Sequence, residues 1–282
     1  MSQLEGQPLR SPSPLVDPVQ GFALFTNAKC GGTTLKHWFF KSPRLRRALW
    51  SPLAAPRYFG TQVASRKYAK ILLMSHLYAK GGSNRDVREM QFHYRRLLST
   101  TTARPMRAGT KKFLMIRDPI SRAVSGYVDK LCGEDRDTHW VRHVIDSCPS
   151  DSPSFAEFVD YLHRNRTNDA EFDAHWRRQT YVIDGLEDIT FLRLEKMTED
   201  MAKYENVWGD RDALLLASKR QSNSYNAAVS EGDMTHTSAA EVIAFKEAHG
   251  SFPKKEAFLN DEIRGLLREV YEKDFERFGI YD

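Results

Sequence analysis

Short apolar runs alternate along the chain with segments in which apolar residues recur at helical spacing. Four of the runs predict buried strands, and they are Phe22–Thr26, Lys70–Met74, Phe113–Ile116 and Ile189–Leu192. Leu35, Trp38 and Phe39 follow the first run at a spacing of three and four residues, which predicts a helix. Strands that alternate with helices favour an α/β fold, with a central, mostly parallel sheet flanked by helices.

Two further segments carry clear helix signals. Asp118 is a good N-cap and Pro119 a good first helical residue, so a helix is expected to begin directly after the third run. Apolar residues at helical spacing also mark Phe155–Leu162, and Leu259–Phe278 is amphipathic. Residues 1–20 are polar and rich in proline, which indicates a flexible lead-in. Residues 21–282 show no internal repeat and no linker, so we predict a single domain there.

Composition narrows the class of protein. The chain has 282 residues, 41% hydrophobic and 28% charged, which is typical of a globular protein and not of a fibrous or largely disordered one. No apolar run approaches the roughly 18–20 residues that span a bilayer, and the first residues lack the apolar stretch of a secretory signal. Three cysteines, Cys30, Cys132 and Cys148, favour a reducing compartment over a disulfide framework. We therefore expect a cytoplasmic protein with no transmembrane segment.

The net charge points to an anionic partner without naming it. The formal charge is +5, and basic residues cluster at Arg44–Arg47 and Arg104–Lys112. No recognisable nucleic-acid-binding module accompanies these clusters, so nucleic acid is not an expected partner.

The first strand leads into a loop whose residues suit a phosphate group. Asn27–Leu35 has the sequence NAKCGGTTL. Gly31 and Gly32 allow a tight turn, and the following helix offers unpaired N–H groups at the positive end of its dipole. Lys29 adds a charge, and Thr33 and Thr34 add hydroxyl groups. A Walker A loop has its Lys after the second Gly, whereas Lys29 precedes both glycines, so a common ATPase or GTPase is excluded.

The third strand leads into a second basic segment. Arg117 follows this strand, and Arg122 and Ser125 lie three residues apart on one face of the next helix. Ligands of open α/β sheets bind beyond the carboxyl ends of the strands, where both segments are predicted to lie. Two such segments indicate a donor with two separated phosphate groups.

These two segments resemble the donor-binding motifs of the sulfotransferases. Lys29–Thr34 resembles their 5′-phosphosulfate loop, and the pattern of Arg117, Asp118, Pro119, Arg122 and Ser125 resembles their 3′-phosphate segment. The similarity is greatest to carbohydrate sulfotransferases with a Gly-Gly-Thr loop, and it implies a P-loop-like domain and a soluble, bacterial-type member. Asp173–Gln179 resembles a His-Trp segment of that subgroup, and Tyr271–Gly279 resembles its C-terminal pattern. Cys30 departs from the small or hydroxyl residue of many relatives.

The resemblance implies a reaction and assigns residues to it. A sulfuryl group would pass from 3′-phosphoadenosine 5′-phosphosulfate to an acceptor hydroxyl, on a carbohydrate or glycolipid, and no metal is expected. Lys29 would stabilise the leaving phosphate. The 5′-phosphate would be held by the loop, which comprises Lys29, Cys30, Gly31, Gly32, Thr33, Thr34 and Leu35. Arg117 and Ser125 would hold the 3′-phosphate.

Candidates for the general base are histidines. His76 directly follows the predicted strand Lys70–Met74, and a histidine there occurs in similar enzymes. An imidazole titrates in the range needed to accept a hydroxyl proton. His175 is the second candidate, and His175 and Arg178 are the expected acceptor contacts.

The sequence leaves three further classes of protein open. Cys132, His139, His143 and Cys148 lie close enough together to suggest a zinc-binding protein, although their spacing matches no common zinc finger, and a Cys132–Cys148 disulfide would also use two of them. The second class is a protein that binds the donor nucleotide without activity. The third is a kinase-like phosphotransferase that lacks a Walker A loop.

Overall fold

The strand that leads into the Lys29 loop belongs to a four-stranded sheet. The computed structural model describes residues 14–18, 20–59, 63–79, 83–99, 109–208 and 232–279. The strands are β1 (Leu15–Asp17), β2 (Phe22–Thr26), β3 (Lys111–Ile116) and β4 (Ile189–Arg193). They lie in the order β1-β2-β3-β4, with β1 antiparallel and β3 parallel to β2, and Leu24 pairs with Phe113. The predicted α/β class, with a mostly parallel sheet flanked by helices, is confirmed.

Helices make up most of the remaining described chain. The α-helices are α1 (Gly32–Lys41), α2 (Pro43–Trp50), α3 (Ala54–Phe59), α4 (Arg66–Ala79), α5 (Asn84–Ser99), α6 (Pro119–Lys130), α7 (His139–Asp146), α8 (Phe155–Arg164), α9 (Met197–Ala202), α10 (Glu205–Trp208), α11 (Ala239–His249), α12 (Asp261–Val270) and α13 (Glu272–Phe278). Short 3₁₀ helices cover Glu134–Asp137, Gln179–Ile183, Leu194–Lys196 and Lys255–Phe258. Within the described ranges, no helix is both long and apolar enough to cross a membrane.

The packing divides the chain into two compact units. The first comprises the described parts of Met1–Thr26, Gly31–Met115 and Gly185–Gln221, and it contains the sheet. The second comprises Asn27–Cys30, Ile116–Asp184 and the described part of Ser222–Asp282, and it contains α6–α8 and α11–α13. The chain passes from the second unit to the first between Cys30 and Gly31. The single domain over residues 21–282 stays a prediction.

Aromatic packing forms the core of the first unit. Every residue of β2 is buried, as expected for a strand covered on both faces. The Phe22 ring lies 5.1 Å from the Trp208 ring and 6.2 Å from the Phe39 ring, both edge to face. Phe113 packs on the same Trp208 with a centroid distance of 4.4 Å. This packing ties β2 to α1, and both β2 and β3 to α10.

The second unit has its own core around α6. Tyr127 packs against Phe155 and Phe158, and its hydroxyl donates to the Pro153 carbonyl at 2.9 Å. Ser154 and Glu157 form a reciprocal capping box that starts α8. These contacts hold α6 rigidly, and α6 in turn positions the residues described below.

Three predictions of secondary structure need correction. Lys70–Met74 is not a strand, because it lies within α4, where Tyr68, Ile71 and Ser75 are buried at helical spacing and Leu73 is exposed. A short apolar run does not distinguish a strand from a buried helix segment, and here the helix forms. Strand β1 begins at Leu15, inside the predicted lead-in, and the predicted C-terminal helix is divided into α12 and α13.

Candidate active site

The start of α1 is a helix N-terminus without a side-chain cap. Gly31 occupies the N-cap position with φ 70° and ψ 16°, so the N-cap residue makes no side-chain hydrogen bond to the helix start. The first turn contains no acidic residue, and Thr33 lies in it with part of its surface exposed. Thr34 and Leu35 are buried. The amides of this turn and the helix dipole therefore favour an anion here.

Two physical reasons require glycine at position 31. Its φ of 70° lies in the left-handed region, which side chains disfavour. A Cβ atom would also lie 2.6 Å from Leu194 Cδ1, closer than carbon atoms approach. A side chain at position 31 would therefore cost backbone strain and a shift of the Leu194 side chain.

Lys29 also has a left-handed backbone, although it carries a side chain. Its φ is 65°, a conformation that costs about 1–3 kcal/mol and persists only where surrounding contacts hold it. Arg117 Nη1 donates to the Lys29 carbonyl at 3.2 Å, and Arg122 Nε donates to the Ala28 carbonyl at 3.0 Å. Two arginines from the second segment thus hold the strained part of the loop.

The Lys29 ammonium is paired with a carboxylate on α6. Its Nζ lies 3.1 Å from Asp129 Oδ2, and the Lys29 side chain is only 16% exposed. Burial lowers the pKa of Lys29, and Asp129 opposes that shift without cancelling it. Burial raises the pKa of Asp129, but Lys29 and Lys130 outweigh burial and leave it below its usual value. Lys130 lies 3.0 Å from the same Asp129 oxygen.

One face of α6 carries the residues that contact the loop. Arg122, Ser125 and Asp129 lie three and four residues apart, so they share this face. Arg122 contacts Ala28 and Asp129 contacts Lys29, which places Ser125 on the turn between the two contacts. Ser125 is buried at this position.

Arg122 is committed to the protein backbone. It is 0% exposed, and besides Ala28 it donates from Nη1 to the Arg177 carbonyl and from Nη2 to the Ala174 carbonyl, both at 2.7 Å. Its guanidinium therefore positions the loop and the His-Trp segment instead of binding a ligand. The sequence placed Arg122 on the correct helix face but did not indicate this role.

Gln179 links the loop to the second segment and was not predicted as a site residue. It is 0% exposed. Its Oε1 accepts from the Arg117 N–H at 2.9 Å and from Cys30 Sγ at 3.1 Å, and its Nε2 donates to the Arg117 carbonyl at 2.8 Å. Its own carbonyl accepts from Asn27 Nδ2 at 3.1 Å. One amide side chain thus fixes the backbone of Arg117 and holds the buried Cys30 thiol.

The C-terminal pattern supports Gln179. Asp274 accepts from the Gln179 N–H and the Thr180 N–H, each at 2.8 Å, and burial raises the pKa of its carboxyl group against these hydrogen bonds. The Tyr271 hydroxyl donates to the Trp176 carbonyl at 2.9 Å. The two weaker sequence resemblances, Asp173–Gln179 and Tyr271–Gly279, therefore mark one supporting layer. Membership in these two segments was the only sequence signal for Gln179 and Asp274.

His175 and Arg178 each have a carboxylate partner. His175 Nδ1 lies 2.5 Å from Asp173 Oδ1, and its ring stacks on Trp140 at a centroid distance of 5.4 Å. Arg178 Nε lies 2.8 Å and 2.7 Å from the two carboxylate oxygens of Asp169. Both side chains belong to the second unit, and their contacts with an acceptor stay a prediction.

His76 does not lie where the sequence pattern placed it. It sits on α4 instead of a strand end, with an exposed side chain whose ring centroid is 6.3 Å from that of Trp50. The prediction that His76 follows the end of a strand is therefore wrong, while the role of His76 as base stays a prediction.

The zinc site and the disulfide that the sequence left open find no support in the geometry of the described residues. Among the described residues, no group of three or more His, Cys, Asp or Glu side chains could share a metal ion, and Cys132, His139, His143 and Cys148 all lie in that part of the chain. Cys132 and Cys148 are free thiols. Burial raises the pKa of Cys132 to about 12 and that of Cys148 to about 11, so neither is a ready thiolate ligand.

The chain thus combines an α/β fold with a loop that carries Lys29 and leads directly into α1, whose N-cap residue is a glycine. The model of the sulfotransferase family matches residues 15–282, and the chain belongs to that family. It is therefore a transferase of the sulfotransferase type, and such enzymes generally use 3′-phosphoadenosine 5′-phosphosulfate as the sulfate donor. No match was found among curated proteins or solved structures. The carbohydrate subgroup and the bacterial type stay predictions.

Proposed function

We propose that this protein transfers a sulfuryl group from 3′-phosphoadenosine 5′-phosphosulfate to a hydroxyl of a carbohydrate or glycolipid. The observation that carries the proposal is the strained Lys29, whose backbone is held by Arg117 and which comes shortly before the uncapped start of α1 in the chain. A family in which sulfate donors are nucleotides supports the choice of donor.

Each loop residue has a role in this proposal. The backbone from Cys30 to Leu35 and the hydroxyls of Thr33 and Thr34 bind the 5′-phosphate through N–H and O–H donors. The Lys29 ammonium either separates from Asp129 or contacts Asp129 and the donor at the same time. Its charge stabilises the phosphate oxygen from which the sulfuryl group departs. Arg117 and Ser125 bind the 3′-phosphate, with Arg117 offering a planar, forked guanidinium.

The reaction must also remove one proton. A bond forms between the acceptor oxygen and sulfur, the bond from sulfur to the 5′-phosphate oxygen breaks, and the hydroxyl proton passes to a base. We assign the base to His76, with His175 as the alternative. His76→Ala should lower turnover about 10²–10⁴-fold while the affinity for 3′-phosphoadenosine 5′-phosphate stays the same. Loss of turnover in His175→Ala alone would transfer the role to His175.

Ligand-dependent unfolding tests the donor. A melting temperature that rises with 3′-phosphoadenosine 5′-phosphate but not with ATP is expected, because only a ligand that binds the folded chain stabilises it. Stabilisation by ATP would support a kinase-like phosphotransferase instead. Binding of the nucleotide without transfer to any hydroxyl acceptor from radiolabelled donor would support a donor-binding protein.

A further inference from the structure

Helix α2 has a buried face and an exposed face of unusual composition. Leu45, Ala48 and Leu49 are buried in the first unit. The opposite face carries four residues at a spacing of three and four, and they line a shallow pocket of about 260 Å³: Pro43, Arg46, Arg47 and Trp50. We call these four residues the α2 face.

Trp50 presents an apolar ring that is held in place. Its side chain is 52% exposed, yet its Nε1 donates to Ser75 Oγ at 3.1 Å, and Ser75 Oγ donates to the Leu72 carbonyl at 2.9 Å. An exposed indole that is oriented by a hydrogen bond loses little conformational entropy when a ligand packs on it. The His76 ring lies beside it, 6.3 Å between centroids.

The charge of the α2 face is entirely positive. The helix sequence PRLRRALW contains no acidic residue. Arg46 Nε is buried and has no hydrogen-bond partner within the described residues. A buried donor without an acceptor is costly, and a movement of the Arg46 side chain that lets an anionic ligand accept from it would remove that cost.

We infer that the α2 face is the binding site for the acceptor, and that the acceptor is a sugar carrying a carboxylate. The apolar C–H face of a sugar ring packs on the Trp50 indole, and the arginines bind the carboxylate through charge-assisted hydrogen bonds. A sugar bound there lies beside His76, the proposed base. This inference rests on the proposed function for its role in catalysis, but not for the binding itself.

Binding without the donor tests the inference. A hyaluronan octasaccharide, which carries carboxylates and no sulfate, is titrated into the full chain by calorimetry. We expect Trp50→Ala, Trp50→Leu and Arg47→Gln each to raise the dissociation constant about tenfold or more. Trp50→Leu keeps apolar volume without a flat ring, so it separates stacking from a loss of folding. A neutral chitin oligosaccharide of the same length should bind about tenfold more weakly than hyaluronan.

Two matched controls define the specific result. Arg44→Gln removes the same charge from α2 at a position that does not line the pocket, where Arg44 contacts Gln20. Phe92→Ala removes an aromatic ring of similar exposure, 54%, from α5. Both should change the dissociation constant by less than about twofold. Equal weakening by Arg44→Gln and Arg47→Gln would overturn the inference, because general electrostatic attraction would then explain binding.

Two further outcomes separate the ways in which the inference can fail. Tighter, Trp50-dependent binding of a single-stranded oligonucleotide would overturn the inference in favour of a nucleic acid site. Hyaluronan binding that depends on Trp50, without stabilisation by 3′-phosphoadenosine 5′-phosphate, would keep the binding site and reject the proposed function. Stabilisation by that nucleotide without hyaluronan binding would keep the proposed function and reject the α2 face as the acceptor site.

Discussion

The two segments proposed to bind phosphate begin their helices in opposite ways. Helix α1 starts at Gly31, which has no side chain to cap it. Helix α6 starts at Asp118, whose carboxylate accepts from the Ser121 N–H at 2.7 Å, and Pro119 follows as the first helical residue. One helix start is therefore open to an external anion, and the other already holds an internal one.

This difference indicates two chemical solutions for one kind of ligand. At α1 the donors are backbone amides, so the loop depends on conformation and on the small residues that permit it. At α6 the carboxylate of Asp118 would repel an anion at the helix end, so binding has to come from the side chains of Arg117 and Ser125. Mutations at Gly31 should therefore act through the backbone, whereas those at Lys29, Arg117 and Ser125 should act through side-chain chemistry.

Among substitutions in the two segments proposed to bind phosphate, the largest effect is expected from Lys29→Met, which keeps the apolar stem and removes the charge. Turnover should fall about 10²–10³-fold, because one preorganised donor to the leaving oxygen is lost. Transfer from radiolabelled donor at saturating acceptor measures it, with Lys36→Met, further along α1, as the control. A loss below about tenfold would remove Lys29 from the reaction.

The next largest effect is expected from Gly31→Ala. The left-handed backbone should cost about 1–3 kcal/mol and the contact with Leu194 a similar amount. Gly250 has φ 73° and open space around its Cβ position, so Gly250→Ala measures the backbone cost alone. Urea unfolding gives both values, and the nucleotide should lose affinity only for Gly31→Ala. Equal destabilisation by the two variants would show that the contact with Leu194 relaxes.

A smaller effect is expected from Asp118→Ala. Loss of the cap should lower the free energy of unfolding by about 0.5–2 kcal/mol. Asp118→Asn keeps an oxygen acceptor and should restore most of that loss. The affinity for 3′-phosphoadenosine 5′-phosphate, measured by calorimetry, should not fall in either variant. A marked loss of affinity in Asp118→Asn would show that the carboxylate takes part in donor binding.

The smallest effect is expected from Asp129→Asn, as a shift in pH dependence. Burial lowers the pKa of Lys29 and Asp129 opposes it, so removing the carboxylate should lower that pKa further. The alkaline limb of the rate profile should then move to lower pH. Lys29 loses its proton at a lower pH in the folded chain than in the unfolded chain. The free energy of unfolding therefore rises with pH between the two pKa values of Lys29.

A matched variant isolates this effect. Asp135 forms an ion pair with Lys130, the neighbour that also contacts Asp129. Asp135→Asn therefore removes one nearby carboxylate without removing the partner of Lys29. An unchanged alkaline limb in Asp129→Asn, or an equal shift in Asp135→Asn, would contradict the assignment of Asp129 as the group that keeps Lys29 charged.

Local sequence determined the elements that carry these segments. The buried run Phe22–Thr26, the Gly-Gly turn and the Asp118-Pro119 helix start depend on neighbours a few residues away, and the structure confirms the strand and both helices. The strand predicted at Lys70–Met74 was wrong because burial of Ile71 and Ser75 on one helix face is decided by packing, not by the run itself.

Only the tertiary structure decided what holds the loop in place. Arg122, Gln179 and Asp274 meet partners 52 to 152 residues away in the chain, and no spacing within a motif predicts contacts at that range. The sequence by itself determined the chemistry of the loop proposed to bind phosphate, because Lys29, the glycines and the threonines are adjacent. The pairing of Lys29 with Asp129 and the strained backbone of Lys29 arise from packing against α6, which folding alone brings about.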